Sequence, residues 1–227
     1  QLVFDGHSFV MHPQRGVVYE AAGFAEDFAV LNFDGDNFVE AQDIRSEDKS
    51  SEIGAKNGMA PKVAVTQKEE MARQQIVLGL RDYARRCGFS KAVVGSSGGI
   101  DSALTLALAV EALGADNVIA ITMPSAFSSE GSVSDSMKLC DALGIALLEH
   151  PIRDLVDQYG KGFTQAFNAP LRGLTLENLQ ARVRGTILME YSNHFGALLL
   201  TTGNKSEISV GYCTLYGDTN GGLGLIG

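Results

Sequence analysis

The chain has 227 residues, 45% of them apolar, and a net charge of -9, so a folded protein with a sizeable core is expected and broad nucleic-acid binding is not. No apolar run reaches membrane-spanning length and no secretory pattern opens the sequence. The three cysteines, Cys87, Cys140 and Cys213, are too scattered for a disulfide framework or a zinc site, which points to a reducing cytoplasm.

In chain order, residues 1–36 carry short β-prone runs: Leu2-Val3-Phe4, Phe9-Val10-Met11, Val17-Val18-Tyr19 and Phe28-Ala29-Val30-Leu31. Turn formers separate them, notably Asp5-Gly6 and His12-Pro13-Gln14-Arg15-Gly16. Residues 37–67 are rich in charged and small polar side chains and read as a linker. From Lys68 the pattern alternates helix and strand. Ile76, Leu80, Tyr83 and Cys87 recur at helical spacing before a stop at Gly88. Cys87 and Cys140 read as small core residues. A buried strand follows over 91–94, then the glycine-rich turn Gly95, Ser96, Ser97, Gly98, Gly99, Ile100, Asp101, Ser102.

That turn leads into a helix over 103–113 that is apolar nearly all round and should be buried. A strand leaving into a glycine-rich turn and a helix aims backbone N–H groups and a positive helix end at one spot, which suits phosphate. The turn ends in Asp101-Ser102 where a Walker loop has lysine, and the glycine spacing of a dinucleotide fold is absent. A carboxylate beside a phosphate nest needs a cation between them, so Asp101 is expected to bind Mg²⁺. The alternative makes Asp101 and Ser102 ordinary helix-capping residues. Residues 97–102 resemble the Ser-Gly-Gly-x-Asp-Ser signature of ATP pyrophosphatases. The resemblance implies an α/β fold with a doubly wound parallel sheet, of the adenine-nucleotide α-hydrolase-like kind, and ATP at its switch point.

Further along, a strand is expected over 118–123, a helix over 133–143, a strand from Ala146, a long helix capped by Thr175 and running to Phe195, a strand over 197–202 and a short helix near Glu207. Asn178 and Arg182 are four apart and share a helix face, which suits a polar, anionic ligand or a solvated surface. The segment Thr202-Gly203-Asn204-Lys205-Ser206-Glu207 follows a strand, at the edge where open α/β sheets hold ligands. It also reads as a turn with Ser206 capping a helix. Glycines around Asn220-Gly221-Gly222 permit close approach to a flat ligand, or form a surface loop.

Together these segments resemble the synthetase domain of glutamine-dependent NAD⁺ synthetases, over 68–227. Residues 2–9 are similar to the tail of the nitrilase-like glutaminase domain that precedes it, which divides the chain into 1–36, 37–67 and 68–227. The resemblance implies ATP-dependent amidation of deamido-NAD⁺ through an adenylate, releasing AMP and pyrophosphate. Gly95, Ser96, Ser97, Gly98, Gly99, Ile100, Asp101, Ser102 and Thr202 would bind ATP, and Asn178, Arg182 and Glu207 deamido-NAD⁺. Asp101 and Glu207 would serve Mg²⁺. No side chain is assigned as acid, base or nucleophile. Ammonia would come from glutamine through the glutaminase domain, in a cytoplasmic homo-oligomer with no nucleic-acid or membrane partner. Ser96 departs from the pattern, which has an apolar residue there. The glutaminase cysteine and a later lysine loop that closes over ATP fall outside these residues, so a truncated chain without glutaminase activity is expected. Another ATP-pyrophosphatase amidoligase, a non-catalytic nucleotide-binding module and an assembly fragment stay open as alternatives.

Overall fold

The computed structural model describes residues 3–34, 37–42, 68–125 and 130–227. Gln1, Leu2 and residues 43–67 of the expected linker lie outside them. The chain divides into two compact units, Gln1–Gln75 and Ile76–Gly227.

In the first unit β1 (Phe9–His12) and β2 (Gly16–Glu20) form an antiparallel hairpin. Its turn is tied by His12, whose Nδ1 accepts the N–H groups of Gln14 and Arg15 over 3.1 and 3.2 Å. β3 (Val30–Asp34) and β4 (Asn37–Gln42) make a second antiparallel pair. The expected linker therefore opens with a strand, because a neighbouring strand satisfies its backbone groups whatever its composition. The expected run at Leu2-Val3-Phe4 is not a strand at Val3 and Phe4.

The second unit is a five-stranded parallel sheet between helices. Its elements in chain order are α1 (Lys68–Cys87, in this unit from Ile76), β5 (Lys91–Gly95), α2 (Ile100–Leu113), β6 (Val118–Thr122), α3 (Glu130–Leu143), β7 (Ala146–Glu149), α4 (Arg153–Phe167), α5 (Leu174–Phe195), β8 (Ala197–Thr201), α6 (Lys205–Val210) and β9 (Leu223–Gly224). The strand order is β7-β6-β5-β8-β9. Succession reverses between β5 and β8, so that crevice is the switch point where such sheets bind ligands.

The strands alternate between two cores. Ala92, Val94, Ala120, Leu198 and Leu200 pack with Leu80, Leu106 and Cys140 from α1, α2 and α3. Val93, Ile121, Ala197 and Leu199 pack with Ile152, Val183 and Ile187 beside and within α4 and α5. The sheet is thus covered on both faces, and its strands read as continuous apolar runs for that reason.

Several local expectations change. The fully buried residues of α1 are Val77, Leu80 and Ala84, the expected Ile76 and Tyr83 pack partly buried against the same core, and Cys87 is exposed. Cys87 is the last residue of the helix, whereas Cys140 is buried as expected. α2 starts at Ile100 rather than Ala103, and it buries only one side: Ile100 and Leu104 are exposed. α5 is preceded by Gly173, not capped by Thr175; Gly173 adopts φ 54° and ψ -137°, a region open to glycine, and its carbonyl accepts from Leu176 and Glu177. α4 and β9 add to the expected elements. Among the described residues no helix is long and apolar enough to cross a membrane.

Candidate ATP site at the sheet switch point

Two strand-to-helix turns meet at the switch point. In the first, β5 brings Ala92, Val93 and Val94 through the core and delivers the chain at Gly95. The Ser96 N–H then donates to the Ile121 carbonyl of β6 over 2.8 Å, which fixes the exit direction. The turn itself is held by hydroxyls. Ser102 Oγ accepts the Ser97 N–H at 3.3 Å and donates to the Gly99 carbonyl at 2.9 Å. Ser97 Oγ accepts the Gly99 N–H at 3.2 Å. Gly98 has φ +77°, where a side chain would be strained. Gly99 is the N-cap of α2 and offers no side chain, so Ile100, Asp101 and Ser102 form an uncapped first turn.

In the second turn β8 ends at Thr201, and Asn204 caps α6 in a complete capping box. Asn204 Oδ1 accepts the Glu207 N–H at 2.9 Å, and Glu207 Oε2 accepts the Asn204 N–H at 3.0 Å. The cap is Asn204, not Ser206. The Asn204 amide then donates to Asp101 Oδ1 over 3.2 Å. Asp101 and Glu207, the two expected metal ligands, are therefore held on opposite ends of one asparagine. One Glu207 oxygen is engaged with the backbone.

Gly95, Ser96, Ser97 and Thr202 line a cavity of about 370 Å³, closed from the other side by α5 and the loop 214–220. Its size falls within the range of small-molecule sites. Arg184, not among the expected site residues, lines it and is the one cation among its described lining residues. The Arg184 Nε donates to the Met123 carbonyl at 3.2 Å, and burial presses its guanidinium below the usual arginine range. The signal was present in the sequence, since Arg184 lies two residues beyond Arg182 on the same helix, but only packing shows which of the two turns inward.

Asn178 and Arg182 do not line this cavity. They hold the loop 214–220: Asn178 Oδ1 accepts from the Thr214 hydroxyl at 3.0 Å, and Arg182 Nε donates to the Leu215 carbonyl at 3.2 Å. Asp218 Oδ1 accepts the Thr214 N–H at 2.6 Å and Asp218 also lines the cavity. The loop lies flat on α5 because Gly185 of the helix faces the loop and Gly217 of the loop faces the helix; a Cβ on Gly185 would stand 2.8 Å from the Gly217 carbonyl and one on Gly217 2.9 Å from Ala181 Cβ. The next glycines serve the sheet: a Cβ on Gly221 would stand 2.5 Å from Thr201 Cγ2, and one on Gly222 2.7 Å from Leu198 Cδ1. They admit the chain beside β8, where it pairs as β9, so the close approach they allow is to the protein's own backbone and side chains.

Comparison with known proteins agrees with this architecture. A family model described as NAD synthase matches residues 72–227. The chain is 45% identical over 226 residues to the glutamine-dependent NAD(+) synthetase of Synechocystis sp., covering 99% of this chain and 38% of that protein. The chain thus spans well under half the length of that relative. Among solved structures, the glutamine-dependent NAD⁺ synthetase from Acinetobacter baumannii, in complex with ADP, superimposes with a TM-score of 0.77 at 38% identity over 92% of this chain and 37% of its own. The NH3-dependent NAD synthetase from Campylobacter jejuni, in complex with nitrate, gives a TM-score of 0.64 at 30% identity, over 71% of this chain and 68% of its own. A parallel sheet with its glycine-rich turn at the switch point, and a family match over residues 72–227, lead to one assignment: the chain belongs to the NAD synthase family.

Proposed function

We propose that the protein amidates deamido-NAD⁺ to NAD⁺ at the expense of ATP, with AMP and pyrophosphate as the other products. The observation that carries this reading is the uncapped first turn of α2, facing the switch point beside a cavity lined by Gly95, Ser96, Ser97 and Thr202. Free first-turn amides and a positive helix end suit the ATP phosphates. Arg184 adds a desolvated positive charge to the same cavity, where charge counts for more than in water. The ADP bound by the Acinetobacter baumannii relative supports a nucleotide there.

The residues fit Mg²⁺ in their chemistry. Asp101 presents a carboxylate at the helix start, next to the amide-lined turn, and Glu207 presents another across Asn204. Among the described residues no group of three or more His, Cys, Asp or Glu converges on one point. Two carboxylates held on one asparagine suit a cation that takes one or two carboxylates and completes its shell with phosphate oxygens and water. Bound there, Mg²⁺ would neutralise charge on the phosphates. Glu207 would ligate the ion with the oxygen its capping box leaves available.

The chemistry then follows from position. The nicotinate carboxylate of deamido-NAD⁺ attacks the α-phosphorus, pyrophosphate leaves, and ammonia displaces AMP with loss of a proton. The protein's task is alignment and charge neutralisation, with the turn amides and Arg184 on the departing pyrophosphate. Asn178 and Arg182 would meet the dinucleotide on the exposed face of α5, where they already order the loop 214–220. Ammonia would come from glutamine in the whole protein, as the relatives' names and the match over 99% of this chain support. Residues 1–36 would then be the tail of the glutaminase domain.

The test supplies the full-length protein with ATP, Mg²⁺, deamido-NAD⁺ and ammonium, and measures AMP and NAD⁺. Both products should appear in equal amounts, and the absence of both would sink the proposal. Asp101→Ala should abolish pyrophosphate release; release unchanged from wild type would remove Asp101 from the metal site.

A further inference from the structure

α3 meets the phosphate turn at two points one helical turn apart. At Gly98 a Cβ would stand 2.5 Å from the Ser132 carbonyl oxygen and 2.8 Å from its Cα, so backbone passes directly against backbone. At Ser96 the hydroxyl donates to the Ser136 hydroxyl over 2.8 Å, with the two residues 4% and 0% exposed. Ser132 and Ser136 are four apart and so present one face of α3 to the turn.

A buried hydroxyl pair adds little to stability over two apolar groups of the same shape. It does fix a distance and a direction, which two methyl groups would not. Ser96 is held on its backbone by the Ile121 carbonyl and on its side chain by Ser136. The next residue, Ser97, donates its N–H to Ser102 and accepts the Gly99 N–H, so its placement sets the whole turn. Ser96, Ser97 and Ser132 line the same cavity.

We propose that Ser136 is a positioning residue for ATP: through Ser96 it fixes α3 against the turn, and thereby the direction of the turn's amides. This rests on the reading of the cavity as the ATP site. It also gives a specific task to Ser96, the partner hydroxyl in the turn.

The test uses the full-length protein with Mg²⁺, ammonium and varied ATP or deamido-NAD⁺, in wild type, Ser96→Ala, Ser136→Ala and the double variant. Each single variant should raise the KM for ATP about tenfold while the KM for deamido-NAD⁺ stays within about twofold. The double variant leaves no hydroxyl unpaired. It should recover the Tm of wild type yet keep the raised KM for ATP, and it carries the test should a single variant fail to fold. A purely structural pair would recover both together. Recovery of the KM along with Tm, an unchanged KM for ATP in all variants, or equal rises for both substrates would overturn the proposal. A wild type that makes neither AMP nor NAD⁺ would instead overturn the reading of the cavity itself, and this assignment with it.

Discussion

The two turns at the switch point solve the same local problem in opposite ways. β5 into α2 and β8 into α6 both leave a parallel strand and start a helix whose first amides lack intrahelical partners. At α6 the chain answers its own need, because Asn204 and Glu207 close a reciprocal capping box. At α2 the cap position is Gly99, and the nearby hydroxyls of Ser97 and Ser102 brace the turn rather than cap the helix. A self-satisfied helix start is a structural joint. One left open, but held rigid, is a place for an anion. The two are linked by the Asn204 amide on Asp101, so the closed turn steadies the acidic residue of the open one.

This contrast can be broken most severely at Gly98. Gly98→Ala forces a strained backbone at φ +77° against the Ser132 backbone, and is expected to cost about 2–4 kcal/mol and to abolish ATP binding. Chemical denaturation and calorimetric titration with ATP would check both; ATP affinity retained in a folded variant would show that the turn does not hold the phosphates. Ser102→Ala comes next. It leaves the Ser97 N–H without its acceptor and should cost about 1–3 kcal/mol, with weaker ATP binding.

The closed turn should respond differently. Asn204→Ala removes the cap, at about 1 kcal/mol in thermal unfolding. Asn204→Asp restores the cap but faces Asp101 with a second carboxylate in place of a donor. Stability should return, while MgATP binding stays weaker than wild type by roughly threefold or more. An Asn204→Asp protein that binds MgATP like wild type would mean that the link to Asp101 has no part in the site. The smallest effect belongs to Gly203→Ala, where no atom lies within 4 Å of an added Cβ: a stability change within about 0.5 kcal/mol and unchanged ATP binding are expected. Set beside Gly98→Ala, it separates a glycine required by backbone conformation and close approach from one that is not.

Much of the sheet is legible because β5, β6, β7 and β8 each carry an unbroken apolar run near turn residues, and the glycine stops at Gly88, Gly114 and Gly144 all adopt positive φ. α4 was harder to read. Leu155, Tyr159, Phe163 and Phe167 do recur at helical spacing, but Gly160 and Gly162 interrupt it and the stripe is exposed. β9 is two residues long and exists because Gly221 and Gly222 fit against β8, which no local pattern announces. The inward stripe of α1 is wider than its spacing suggests: Val77 and Ala84 are buried beside the expected Ile76, Leu80 and Tyr83, since helical period fixes a face only to within the width of its apolar side chains.

By itself the sequence determined what is local: the four apolar strands and most of the helices between them, the glycine-rich turn after a buried strand, and the acid in place of a lysine that sets Asp101 apart. These follow from residue types acting on their own few dihedrals and nearest neighbours along the chain. Tertiary structure decided what depends on residues far apart. It placed Asn204 between Asp101 and Glu207, set Ser96 on Ser136, turned Arg184 rather than Arg182 into the cavity, and laid the loop 214–220 on α5. Each of these contacts joins groups whose distance is set by the packing of whole elements, and that distance is not encoded in any short stretch of chain.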